Sequence, residues 1–279
     1  MKTLIIYKLK FAGIIIISVL LDIALHLATS VYSTMPETPN YSRMAELLGT
    51  EISAVLWALL AFSGAAYVFY RFRNSIPGSG FAKGLRYGSA IALLWLFAML
   101  EGVPLFGHSV INEFVVGLSD AVPVLLMSIL SGLLIVKNTV NTEPELPSFR
   151  QKLLSICVFS AIFTFGRYIA YFTGIIQSGI KTRPFYTFLW TLLMGACIGI
   201  ICILLGQVGK KLSLRRRAAV FGFCVFGVNW AVFLVFMPIL FAGYFTDVLS
   251  RIVIDILLVT IGYYLILTLG VARSSGSKA

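Results

Sequence analysis

Eight apolar stretches, each about as long as a bilayer is thick, run through this 279-residue chain at 11–32, 51–70, 87–107, 113–136, 153–178, 185–206, 218–241 and 247–270. A hydrocarbon core about 30 Å thick is crossed by about 20 residues of α-helix. Backbone N–H and C=O groups find no water there, so only helices and closed barrels can cross. These stretches are too long and too continuously apolar for barrel strands. The fold class follows: an all-α, polytopic membrane bundle of eight transmembrane helices. The chain is 59% hydrophobic and 12% charged, against about 25% charged in an average soluble domain. The gaps between stretches are short, the longest near 33–50, 71–86 and 137–152. None can house a soluble catalytic domain, so any chemistry belongs to the spans or their ends.

Lys and Arg in short loops mark the cytoplasmic side. With the N-terminus placed inside, most of the 22 basic residues fall on that side, from Lys2, Lys8 and Lys10 to Arg273 and Lys278. Only Arg43, Lys181 and Arg183 fall outside, while Arg167 and Arg251 lie within spans. Both termini are therefore expected in the cytoplasm, with the plasma (inner) membrane of a prokaryote as the expected home. The net charge of +11 is then a topology signal with some lipid-headgroup contact at Leu214-Arg215-Arg216-Arg217. No nucleic-acid partner is expected. Lys2, Lys8 and Lys10 before an apolar run resemble a signal peptide, but the run is long and Asp22 and His26 interrupt it. It reads as a retained span. The four cysteines, Cys157, Cys197, Cys202 and Cys224, all fall inside spans without metal-binding spacing and read as small apolar residues.

The chain reads as two four-helix halves, 1–140 and 141–279. The four tryptophans, Trp57, Trp95, Trp190 and Trp230, fall in the second and third spans of each half. Trp95 and Trp230, Asp120 and Asp255, and Leu105-Phe106 and Leu240-Phe241 share one offset, and Pro104 and Pro238 nearly share it. Four spans per half make the repeats parallel, related by an axis along the membrane normal. The polar segment Asn141-Thr142-Glu143-Pro144-Glu145-Leu146-Pro147 reads as the linker.

Ionisable groups inside a bilayer are costly and mark sites. Within spans stand Asp22, His26, Glu101, Asp120, Arg167, Arg251 and Asp255, with Glu51, His108, Glu113 and Asp247 near outer ends. All sit at mid-depth or in the outer half. Asp22 and His26 share a helix face; so do Asp247, Arg251 and Asp255, which lets Arg251 be neutralised along its own helix. A buried Arg167 needs a carboxylate partner, and Asp120 or Asp22 of the first half is expected to supply it. Four carboxylates against two arginines leave an acidic excess to be protonated, solvated or bound to a cation. His26 and His108 are weak metal candidates; no cofactor is expected. Gly102-Val103-Pro104 and Met237-Pro238 break the outer ends of corresponding helices, where freed carbonyls can line a cavity. The segment 33–41 is the one sizeable outer loop and can serve as a lid.

No Walker A loop, GxSxG, HExxH, arginine ladder or TVGYG filter occurs. The expectation is a small-solute or ion transporter, or its membrane subunit, with an outward-facing carboxylate/arginine cavity between the halves. Its partners are the lipid bilayer and a small solute or cation, or a membrane protein. Two alternatives stay open: a non-catalytic scaffold or assembly subunit of a larger complex, and an intramembrane enzyme acting on a lipid-linked substrate with Asp22 and His26 as acid and base.

Overall fold

A computed structural model describes residues 2–35, 38–136, 147–206 and 208–276. Most of the expected linker (141–146), Lys137 and Lys278 lie outside the described residues. The architecture is all-α: α1 (Lys2–Ala28), α2 (Arg43–Leu48), α3 (Thr50–Phe72), α4 (Gly80–Met99), α5 (Gly102–Phe106), α6 (Val110–Ile135), α7 (Phe149–Phe172), α8 (Pro184–Leu205), α9 (Leu214–Ala219), α10 (Val228–Leu234), α11 (Phe236–Leu240) and α12 (Phe245–Gly276). An eight-residue π-helical stretch, Val220–Gly227, joins α9 to α10. Eight spans result, the third made of α4 with α5 and the seventh running from α9 through α11. The protein is an integral, multi-pass membrane protein. We call the side where α1 begins the terminal face and the opposite side the distal face.

Several boundaries differ from the sequence expectation, three of them as follows. The third span begins at Gly80, not 87, because the Ser79 hydroxyl caps α4 by accepting from the Ala82 N–H (3.4 Å). That start takes Lys83 and Arg86 into the helix. The fifth span ends at Phe172, not 178. Gly174 adopts φ +71 and the Ile175 N–H turns back to the Ala170 carbonyl (3.1 Å), a left-handed glycine stop. The first span ends at Ala28 in a short 3₁₀ turn. The expected loop at 33–50 also contains the unanticipated α2, whose N-cap Ser42 accepts from the Ala45 N–H (3.1 Å).

Lipid tails are as apolar as leucine, so helices associate through close packing more than through hydrophobicity. Two Gly-x-x-x-Gly pairs do this work. Gly84 and Gly88 of α4 lie against α6, where a Cβ on Gly84 would fall on the Ser128 carbonyl. Gly195 and Gly199 of α8 lie against the α7 backbone at Ser160 and Ile156. Across the middle, α3 packs on α10 and α4 packs on α8. The Trp57 indole N–H donates to the Val232 carbonyl (2.9 Å), and that of Trp190 donates to the Phe97 carbonyl (2.8 Å). Phe62, Trp95 and Phe233 stack edge-on or tilted at the centre, with ring centroids 5.3–5.5 Å apart. Tyr87 and Asn229, both buried, meet there through a hydroxyl-to-amide-oxygen bond (2.9 Å). Helices α1, α7 and α12 show much of their surface to lipid.

The close crossing of α4 and α6 makes a direct prediction. Gly132→Ala forces a methyl onto the Gly80 carbonyl and should lower stability by about 1–3 kcal/mol, the usual cost of overpacking. Gly13→Ala, where a Cβ meets nothing within 4 Å, should leave it unchanged or raised. Thermal unfolding of both variants in detergent checks this.

Candidate functional site

A pocket of about 420 Å³ opens at the distal face, where the third and seventh spans are both broken. Between α4 and α5 the break falls at Leu100-Glu101; between α10 and α11 it falls at Val235. Pro104 and Pro238 sit inside the short helices that follow. A proline has no N–H to donate, which weakens the ladder there. The walls are apolar, formed by Met99, Leu105, Phe106, Phe233, Met237, Phe241 and Tyr244. Among them stand the charged and titratable groups Glu101, Asp247, Arg251, His108 and Glu113.

Glu101 is the junction of a buried ionic network. Its Oε1 accepts from Nη1 of Arg167 (2.9 Å) and from Nη1 of Arg251. Arg167, fully buried, also grips Asp255 with two parallel bonds, Nε to Oδ1 (2.7 Å) and Nη2 to Oδ2 (2.5 Å). Such paired geometry is the strongest an arginine makes with a carboxylate. The Trp230 indole N–H donates to Asp255 Oδ2 (2.9 Å). The guanidinium carbon of Arg167 stands 5.3 Å from the Phe163 ring centroid and 5.4 Å from that of Trp190, so its faces meet π electrons while its edges meet oxygens. Arg251 binds Asp247 one turn away (Nε to Oδ2, 2.5 Å) and donates to the Gln177 carbonyl. On the opposite wall His108 Nδ1 approaches Glu113 Oε1 (2.5 Å), while Glu113 Oε2 is buried without a hydrogen-bond partner.

The expected partner of Arg167 was Asp120 or Asp22; the geometry corrects this. Helix α7 packs on α8 and α12, whereas Asp120 lies on α6 beside α1. Arg167 therefore reaches Asp255 of its own half and Glu101 at the α4–α5 corner. Asp22, His26 and Asp120 form a second cluster between α1 and α6, outside the pocket lining. The seven intramembrane candidates thus divide into two groups. Arg251 is neutralised by Asp247, as its helical spacing implied, but its second carboxylate is Glu101 rather than Asp255.

Some participants gave no sequence signal. Gln177 contributes only its backbone, the carbonyl to Arg251 and the N–H to Asp247 (2.6 Å), and Trp230 reads in the sequence as a repeat marker, not as a hydrogen-bond donor to Asp255. Lys83, one of the basic residues counted on the cytoplasmic side, is fully buried, its Nζ without a hydrogen-bond partner, near the terminal-face end of α4. The signal for it was Ser79, a capping residue that starts the helix early.

The chain matches no known protein-family model, no curated protein and no solved structure.

Removing one member of a buried ion pair leaves the other uncompensated, at a cost of about 3–5 kcal/mol, while replacing both by apolar residues of similar size is far milder. Asp255→Leu should therefore lower stability by about 3–5 kcal/mol. Combining it with Arg167→Met should recover most of the loss. Unfolding curves of the two single variants and the double variant in one detergent check this.

Proposed function

We propose that the protein is a small-solute transporter, or the membrane subunit of one, and that its substrate binds in the distal-face pocket. The observation that carries this is the coincidence of the pocket with two helix breaks at corresponding places. Discontinuous helices that free polar backbone at a cavity are a recurring device of solute-binding membrane bundles. The positive-inside pattern supports a cytoplasmic terminal face, so the pocket opens outward. A prokaryotic plasma membrane is the proposed location.

The pocket and its network hold Glu101, Glu113, Asp247 and Asp255 against Arg167 and Arg251. The acidic excess, the unpartnered Glu113 oxygen and the apolar walls together favour a substrate with a cationic group on a partly apolar body. We also propose that the halves 1–140 and 141–279 are parallel repeats. The indole-to-carbonyl bonds of Trp57 and Trp190 run from the second span of each half to the third span of the other, and in each half the first span packs on the fourth.

A second reading has its own observation. The Arg167–Asp255–Glu101–Arg251 network is closely paired, as expected of a network that fixes helix register in a scaffold or assembly subunit. The two readings differ in what Glu113→Gln does. On the transport reading, primary and quaternary amines, but not matched carboxylates, raise the melting temperature of purified wild type. Glu113→Gln should abolish the shift, measured against the unliganded variant's own melting temperature, and the same amine should accumulate in wild-type proteoliposomes. Stabilisation by amines without uptake would favour the scaffold reading. No stabilisation by any of the panel would remove the pocket as a binding site.

A further inference from the structure

Away from the pocket, α1 and α6 bring three side chains to one point. Asp22 and His26 stand one turn apart on α1, and Asp120 faces them from α6, ten residues beyond Val110. His26 Nε2 lies 3.2 Å from Asp120 Oδ1 and 3.9 Å from Asp22 Oδ1. One donor atom from each of the three falls within 4.8 Å of the others. Asp22 is only 3% exposed, and its Oδ1 is buried with no hydrogen-bond partner.

This arrangement is incomplete as a hydrogen-bond network. Two carboxyl groups face each other inside a membrane span, where two ionised carboxylates would repel with little screening. The single nitrogen His26 turns toward them reaches Asp120 at bonding distance and leaves Asp22 outside it. A cation between the three would answer both oxygens at once. The spacing suits one: with metal–ligand bonds of about 2.0–2.2 Å, tetrahedral or octahedral ligand atoms stand about 3–3.5 Å apart. The 3.2 and 3.9 Å separations need little adjustment to meet that.

The donors set the metal class. One imidazole nitrogen with two carboxylate oxygens suits zinc, manganese, iron(II) or cobalt(II). Calcium and magnesium take all-oxygen shells, and copper(I) takes sulfur. Two carboxylates also balance a divalent charge, which removes the cost of carrying it in a low-dielectric site. The His26 side chain is 37% exposed, which leaves a path to the ion and room for a water ligand. Thr29 and Ser119 hydroxyls, hydrogen-bonded to each other at 3.1 Å, flank the cluster at neighbouring sequence positions.

We propose that Asp22, His26 and Asp120 bind one divalent first-row transition-metal ion, which clamps the first span to the fourth. The site stands apart from the pocket and does not depend on what the pocket binds.

The test uses full-length protein in detergent, stripped with a chelator and equilibrated separately with Zn²⁺, Mn²⁺ and Co²⁺, then desalted and assayed for metal. Wild type should retain about one ion per chain, and His26→Ala and Asp22→Asn should weaken binding about tenfold or more. A Cys157→Ser/Cys224→Ser variant, lacking the two exposed thiols, should bind as wild type does. Undiminished binding in His26→Ala, or loss of binding with the cysteines, overturns the proposal. Where a variant fails to fold, wild type alone decides: X-ray absorption of the Co²⁺ form should show nitrogen and oxygen ligands only. Sulfur ligands, or no retained cobalt, overturn the assignment.

Discussion

A guanidinium cannot shed its proton in a protein and cannot stay unpaired in a bilayer. Arg167, fully buried near the distal end of α7, therefore dictates much around it. Asp255 must face it from α12, Glu101 must reach it from the α4–α5 corner, and Trp230 must hold Asp255 from the seventh span. One cation thus draws side chains from four spans to one depth. The corner at Glu101 has a second consequence: with the helix broken there, space opens above the network and becomes the pocket. The ionic core and the cavity are two results of the same requirement.

Two clusters of the molecule, one in each of the proposed halves, meet this requirement with related layouts. In each, an aspartate ten residues into the last helix faces a base near the distal end of the first: Asp120 with His26, Asp255 with Arg167. The difference in the base matters. Arginine closes its site, since its fork satisfies both oxygens of Asp255. Histidine offers one nitrogen to two carboxylates and leaves its site open. One cluster is thus closed by its own hydrogen bonds, and the other is the site proposed to take a metal ion.

The spans were legible because the bilayer imposes a single rule on twenty residues at a time, and 59% apolar composition leaves few other readings. Which charges lie within spans was legible for the same reason: Asp22, Glu101, Asp120, Arg167, Arg251 and Asp255 stand out against an apolar ground. Who pairs with whom was not. That depends on which helix lies beside which, and nothing along the chain marks the first-to-fourth and fifth-to-eighth packing. Hence Arg167 was assigned to Asp120 or Asp22 instead of Asp255 and Glu101. The helix ends missed at 80 and 172 had local causes, Ser79 and Gly174, that were present but outweighed by the search for apolar length. The burial of Lys83 went unread because a lysine near a span end normally reaches water.

The segment after α1 is joined to the other half of the molecule by its backbone. The Ser42 N–H donates to the Leu240 carbonyl (2.9 Å), the Ala242 N–H donates to the Asn40 carbonyl (2.9 Å), and the Tyr41 and Phe241 rings stack between them. The Ser42 hydroxyl adds a bond to the Ile239 carbonyl (2.5 Å). Asn40 and Phe241 both line the pocket. Roof and rim are therefore tied together: displacing α11 while keeping these bonds requires the 38–42 segment to move with it.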